Sequence, residues 1–196
     1  MIIIKPMEAM ETKTIGKYKI EIIPDDNPYN PRTDDNLGTM VCFHRRYSLG
    51  DNHNYSGGEW SSWEQMEKYL TRHEKIGVIL PLYLYDHSGI TMNTTGFSCP
   101  WDSGQVGFIF ISKQKMLKEY GGKKVTKKLT ERVTEYLRNE VEAYDQYLTG
   151  DVYGYRITDT DTEEEVKSSW NFYGSEYCMT EATGIVEHIL KAEEVK

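Results

Sequence analysis

The sequence predicts an α+β fold: a single domain over residues 1–196, with a mainly antiparallel sheet, one long amphipathic helix and two or three shorter ones. Three observations carry this. Strand-like stretches come in runs separated by helices, without the regular βαβ alternation of a parallel sheet. Residues 125–148 repeat apolar side chains at steps of three and four, the period of a long helix with one buried face. A chain of 196 residues supplies one substantial core, and no linker-like stretch divides it.

The elements follow in order. Met1 to Ile4 is a short apolar start, and residues 1–16 read as a loosely attached segment. Tyr18 to Ile22 alternates apolar and polar residues with the period of two of a half-buried strand, which Pro24 and the residues after it stop. Residues 24–38 form a first polar loop, stiffened by three prolines. Thr39 to Tyr47 reads as a second strand, and residues 50–58 as a second polar loop. Ser61 and Ser62 stand three residues before Glu64 and Gln65, the capping-box spacing. Trp63, Met66, Tyr69, Leu70 and His73 then recur at helical intervals, which predicts a helix over 62–74.

Gly77 to Tyr85 is an apolar run of strand length in which Pro81, lacking an amide hydrogen, requires a bulge or an edge. Residues 86–104 form a third polar loop, of a length more common in functional loops than in connectors. Gln105 to Ser112 predicts a strand, and Lys113 to Tyr120 a helix ended by Gly121 and Gly122. After the long helix and Gly150 come two more strands, Asp151 to Thr158 and Ser169 to Gly174, across an acidic turn. Thr180 is expected to cap a last helix carrying Ala182, Ile185, Val186, Ile189 and Leu190.

Composition narrows the function classes. A net charge of −8 leaves no surplus of Lys and Arg to displace counterions along a nucleic-acid backbone, so direct nucleic-acid binding is not expected. Charge is also uneven: residues 113–142 carry nine basic and five acidic side chains, residues 145–196 four basic and twelve acidic. Tyrosine outnumbers phenylalanine 15 to 5, which favours wet surfaces and interfaces, and seven of the 15 fall in residues 136–177. Three cysteines without paired spacing fit a reducing compartment, and no apolar run reaches the roughly 18 residues of a membrane span, so a cytoplasmic protein is expected.

The polar loops hold the residues that could carry chemistry. Asp34, Asp35, Asp51, His53, Asp86 and His87 sit beside strand ends, with His44 on the second strand; such carboxylates and imidazoles could hold a divalent ion and activate a water. Asp and Asn are equally the ordinary turn formers. The short motifs fail. Ser56 and Glu164 stand where an EF-hand loop needs glycine. Cys42, His44 and Cys99 lack a CxxC pair or an HExxH helix. No GxSxG elbow surrounds a serine, the flanks of Cys99 match no cysteine-protease signature, and Gly121-Gly122-Lys123-Lys124 lacks the other positions of a Walker A loop. No metal and no cofactor are therefore expected. Lys113 to Lys128 reads as a solvated basic face; Trp60, Trp63, Trp101 and Trp170 are core or boundary residues unless grouped on a recognition surface.

Three segments, Asp26 to Asp51, Asp86 to Ser112, and Val141 to Tyr155 followed by Trp170-Asn171-Phe172-Tyr173-Gly174, together resemble a family of small proteins encoded by phages and integrative mobile elements. No activity comes with the resemblance, so it transfers no catalytic role. It implies an accessory protein in the cytoplasm of a host cell, of the kind that includes antirestriction and anti-CRISPR inhibitors. On that basis the expected function is binding: inhibition of a basic, nucleic-acid-handling host protein through an acidic, tyrosine-rich surface. That surface is formed by Tyr153, Tyr155, Asp159, Asp161, Glu163, Glu164, Glu165, Trp170 and Tyr173. No membrane partner is expected, and homodimerisation is left open. The alternative is a small metal-assisted hydrolase of a nucleotide or phosphodiester, with Asp35, His44, Asp51, Asp86 and His87 as its candidate residues.

Overall fold

The computed structural model describes residues 8–194, so the apolar start Met1 to Ile4 lies outside the described residues. The strands are β1 (Glu11–Ile15), β2 (Tyr18–Pro24), β3 (Thr39–Cys42), β4 (Ile76–Asp86), β5 (Ile90–Asn93), β6 (Ser103–Ser112), β7 (Val152–Asp159) and β8 (Glu165–Tyr173). The helices are α1 (Trp63–His73), α2 (Lys113–Tyr120), α3 (Lys127–Thr149) and α4 (Ser175–Glu194). The fold is α+β with every strand pairing antiparallel, as the sequence predicts. The strands are shared between two four-stranded sheets, in the orders β1-β2-β7-β8 and β3-β6-β4-β5. The chain gathers into two compact units, one formed by Met1–Tyr29 with Gly150–Lys196, the other by Asn30–Thr149.

In the first unit α4 covers one face of the sheet. Ile20 and Ile22 of β2, Tyr155 and Ile157 of β7, and Cys178, Ala182 and Val186 of α4 are all buried there. The helical residues are four apart and the strand residues two apart, so one helix stripe meets one sheet face. Residues 11–15 are not loosely attached: they pair with β2 through a two-residue turn in which Gly16 adopts φ 58. The last helix starts five residues before the expected cap. Gly174, at φ 86, ends β8, α4 begins at once, and the Thr180 hydroxyl bonds back to the Glu176 carbonyl at 2.8 Å.

In the second unit the sheet is covered on both faces. Ile109 and Ile111 of β6 pack with α2 and α3 through Met116, Val133, Leu137 and Val141, while Phe108 and Phe110 pack with Met66 and Leu70 of α1. A strand buried on both sides reads as a continuous apolar run, which is why 106–111 shows no alternation. Gly107 is required where β3 meets β6, since a Cβ there would collide with the Val41 carbonyl. Pro81 pairs with Phe108 beyond the reach of β5, which covers only Tyr83–Asp86, and a register shift follows at Leu82/Tyr83. Ser62 caps α1 by accepting from the Gln65 amide at 3.2 Å, and Gly121 ends α2 at φ 74.

Two expectations change here. The strand from Thr39 ends at Cys42 instead of Tyr47, because His44 Nδ1 accepts from the amides of Arg46 and Tyr47, both at 3.3 Å, and turns the chain out of the sheet. The third polar loop is not a single loop: it contains β5, folded back on β4.

Candidate functional site

The sequence-predicted acidic and imidazole groups of the second unit fall into three places. Asp35 is exposed in a shallow depression with Lys115 and Glu119. Asp51 is committed to structure. Its carboxylate accepts from Arg32 Nε at 2.8 Å, from Arg32 Nη2 at 2.7 Å and from the Met40 amide at 2.8 Å. Arg32 also donates to Glu140 at 3.1 Å and to the Gly38 carbonyl at 2.8 Å, while Glu140 receives the Leu37 amide at 2.6 Å. This clamp ties the 3-10 turn Pro31–Thr33, the approach to β3 and α3 into one piece, and it occupies three of the roughly four acceptor sites of the Asp51 carboxylate. Asp34 ends the same 3-10 turn.

His44 and Asp86 do come together, at the end of the sheet where β4 turns into β5. The His44 ring stacks on Tyr47 at 4.9 Å, and its Nε2 lies 3.9 Å from Asp86 Oδ2. Asp86 is neutralised by the Arg46 guanidinium and lies 3.4 Å from the Tyr47 hydroxyl. Alongside, His87 Nδ1 is 3.2 Å from Asp102 Oδ2, and the Cys99 thiol is 3.9 Å from the same oxygen. His44, Arg46, Asp86 and Asp102 border an open groove of about 860 Å³ that also presents Arg45 and Trp101, the latter 92% exposed.

The groove is lined mainly by polar and charged side chains. His44 Nδ1 is occupied by two backbone amides, so that nitrogen is not open to take a proton from a substrate. Cys42, the third member of the zinc reading, is buried, and burial pushes its thiol up to about 12. His53 Nε2 meets the Cys42 carbonyl at 3.0 Å, while its Nδ1 is buried without a partner. Among the described residues no group of three or more His, Cys, Asp or Glu is placed to hold a metal ion. A separate cavity of about 370 Å³ is walled by Phe43, Trp60, Trp63 and Met66.

In the first unit the acidic turn has an ordered frame. Asp159 is buried: it accepts from the Asp161 amide at 2.9 Å and pairs with Lys17 at 3.1 Å, and both hold its carboxyl below the usual range. Tyr155 belongs to the core at 2% exposure and forms no part of a surface, because position 155 faces α4. Tyr153 and Tyr173 are half-buried, with the Tyr173 hydroxyl donating to the Tyr29 carbonyl at 2.7 Å. The surface residues are Asp161, Glu163, Glu164, Glu165 and Trp170, whose ring lies over Gly154. None of these four carboxylates makes an ion pair among the described residues.

The units differ in charge. The first carries 8 basic and 16 acidic residues and therefore the whole net charge of −8; the second carries 15 of each. Residues outside the sequence reading also matter. Arg32 and Glu140 are the centre of the clamp, and Glu140 could have been found: it lies on the α3 stripe between Leu137 and Tyr144, where a charge needs a partner.

Among the described residues no helix is long and apolar enough to cross a membrane. No family model, no curated protein and no solved structure matches the chain.

Proposed function

We propose that this protein acts by binding a basic, nucleic-acid-handling protein of a host cell and inhibiting it, as an accessory protein of a phage or mobile element. The observation that carries the reading is the confinement of the entire −8 to one unit, with carboxylates that make no ion pair among the described residues at Asp161, Glu163 and Glu164 on the turn between β7 and β8 and at Glu165, where β8 begins. Such a field speeds association with a basic surface and makes it sensitive to salt. Trp170, five residues further along β8, supplies a partly exposed aromatic anchor on the same strand. The hydrolase alternative has less support: Asp35 and Asp51 stand apart from the His44–Asp86 pair, and Asp51 is engaged by both Nε and Nη2 of Arg32.

The test is capture of partners from host lysate by the intact protein and by a variant with Glu163, Glu164 and Glu165 changed to lysine. The expected result is a nucleic-acid-processing protein retained at low salt, released by roughly 0.5 M salt, and absent from the variant. Identical partners on the wild type and the variant would refute the proposal.

A further inference from the structure

The acidic turn runs directly into β8, the outer strand of its sheet, which pairs with β7 alone. Among the described residues no backbone group is bonded to its other side from Val166 to Trp170; the Asn171 amide is taken by Asp25 at 3.2 Å. Proteins ordinarily protect such edges by keeping them short, charged or bulged. The other edge strands, β1, β3 and β5, have five, four and four residues, whereas β8 has nine. Its register shifts lie at Ile157/Thr158 and at Tyr153/Tyr155, the second beside Asn171 at φ 66. Between them the ladder is regular over three residues, Lys167–Ser169, one of them charged, flanked by Val166 and Trp170, which are exposed by 43% and 38%. The N-terminal end of β8 and the turn before it carry the carboxylates that make no ion pair among the described residues.

We infer that β8 receives an extended segment of the basic partner as a fifth, antiparallel strand along Val166–Trp170, with the segment's basic residues on its C-terminal side. The inference rests on the binding function proposed above and names its mode. Antiparallel addition places the C-terminal end of the incoming strand beside the N-terminal end of β8, over Asp161, Glu163, Glu164 and Glu165. Backbone bonds then supply affinity, while the charges and the two apolar side chains select the sequence. A second copy of this chain fits less well, since it would set one −8 unit against another.

The test uses the full chain and a labelled ten-residue peptide of alternating threonine and valine followed by a Lys-Arg-Lys cluster, read by fluorescence anisotropy at low salt. Two further peptides carry N-methyl groups on alternate amides, one for each edge of the strand, and a fourth has the basic cluster moved to the N-terminal end. The expected result is that one methylated peptide binds at least about tenfold more weakly while the other matches the parent. The reordered peptide and a Glu163→Lys, Glu164→Lys variant should also bind more weakly. Equal binding of both methylated peptides would overturn strand addition and leave the acidic-surface function standing. If the parent peptide does not bind and the lysine variant behaves like the wild type, that function falls too. Sedimentation showing a dimer that Ser168→Pro dissociates would give the edge to a second copy and overturn the inference.

Discussion

Replacing Arg32 by methionine removes the only cation in a clamp whose carboxylates stay behind. The Arg32 side chain is 2% exposed, Glu140 8% and Asp51 23%. Four guanidinium bonds are lost, two to Asp51, one to Glu140 and one to the Gly38 carbonyl. Removing one partner of a buried ion pair costs about 3–5 kcal/mol, because the remaining charge is stranded in a poorly solvated site. Two features lower the figure here. Asp51 is partly reached by water, and Glu140 keeps the Leu37 and Gly38 amides, so a loss of about 3 kcal/mol is expected. Urea unfolding followed by circular dichroism would measure it. Adding Asp51→Asn and Glu140→Gln to Arg32→Met should restore about half of the loss, since the stranded charges are then gone. Arg32→Lys should fall between, keeping the charge and losing the planar fork. A loss below about 1 kcal/mol for Arg32→Met, or no recovery in the triple variant, would refute the reasoning.

Two further predictions concern the end of α4 and the thiols. Glu193 accepts from the Tyr18 hydroxyl at 2.7 Å and pairs with Lys17 at 3.3 Å, both of which hold its carboxyl below its ordinary 4.5. A depressed carboxyl stabilises fully above its unfolded value and loses that contribution as pH falls through the folded value. Protection factors at the C-terminal end of α4, with the intrinsic pH dependence of amide exchange divided out, should therefore fall below about pH 4.5, and Glu193→Gln should show the lower protection at neutral pH; protection independent of pH in the wild type would contradict the tie. Cys42 and Cys178 are buried, and burial raises both thiols to about 12, so a disulfide reagent should modify Cys99 alone in the folded protein and all three after unfolding. Rapid reaction of a second thiol in the native state would refute this.

Much of the fold was legible because it is local. The capping serine of α1, the glycines after α2 and α3, and the three-and-four spacing of α3 each act within one turn of chain, so residue identity suffices to read them. Errors arose where a side chain had two local options. Thr180 could cap a helix or bond back within one, and His44 could extend β3 or turn it; the neighbouring glycine and amides decided.

The candidate site was less legible because its residues are brought together by pairing across long separations. Asp51 looked like a loop carboxylate available for chemistry, and the Arg32 side chain, 19 residues away, together with the Met40 amide makes it structural. His44 and Asp86, 42 residues apart, meet because β3 and β4 both pair antiparallel with β6 and so finish at the same end of the sheet.

By itself the sequence determined the α+β class, most helix limits, the acidity of the C-terminal third and the failure of every short catalytic motif, all properties of composition or of interactions within a few residues. The tertiary structure decided the rest: β2 pairs with β7, Ile20 opposite Ile157, across the whole of the second unit. That pairing divides the strands into two sheets and joins the first 29 residues to the acidic tail. It thereby gathers the net charge of −8 into one unit and leaves β8 as an outer strand. No local pattern encodes this outcome, because the pairing that produces it joins residues about 130 to 140 positions apart.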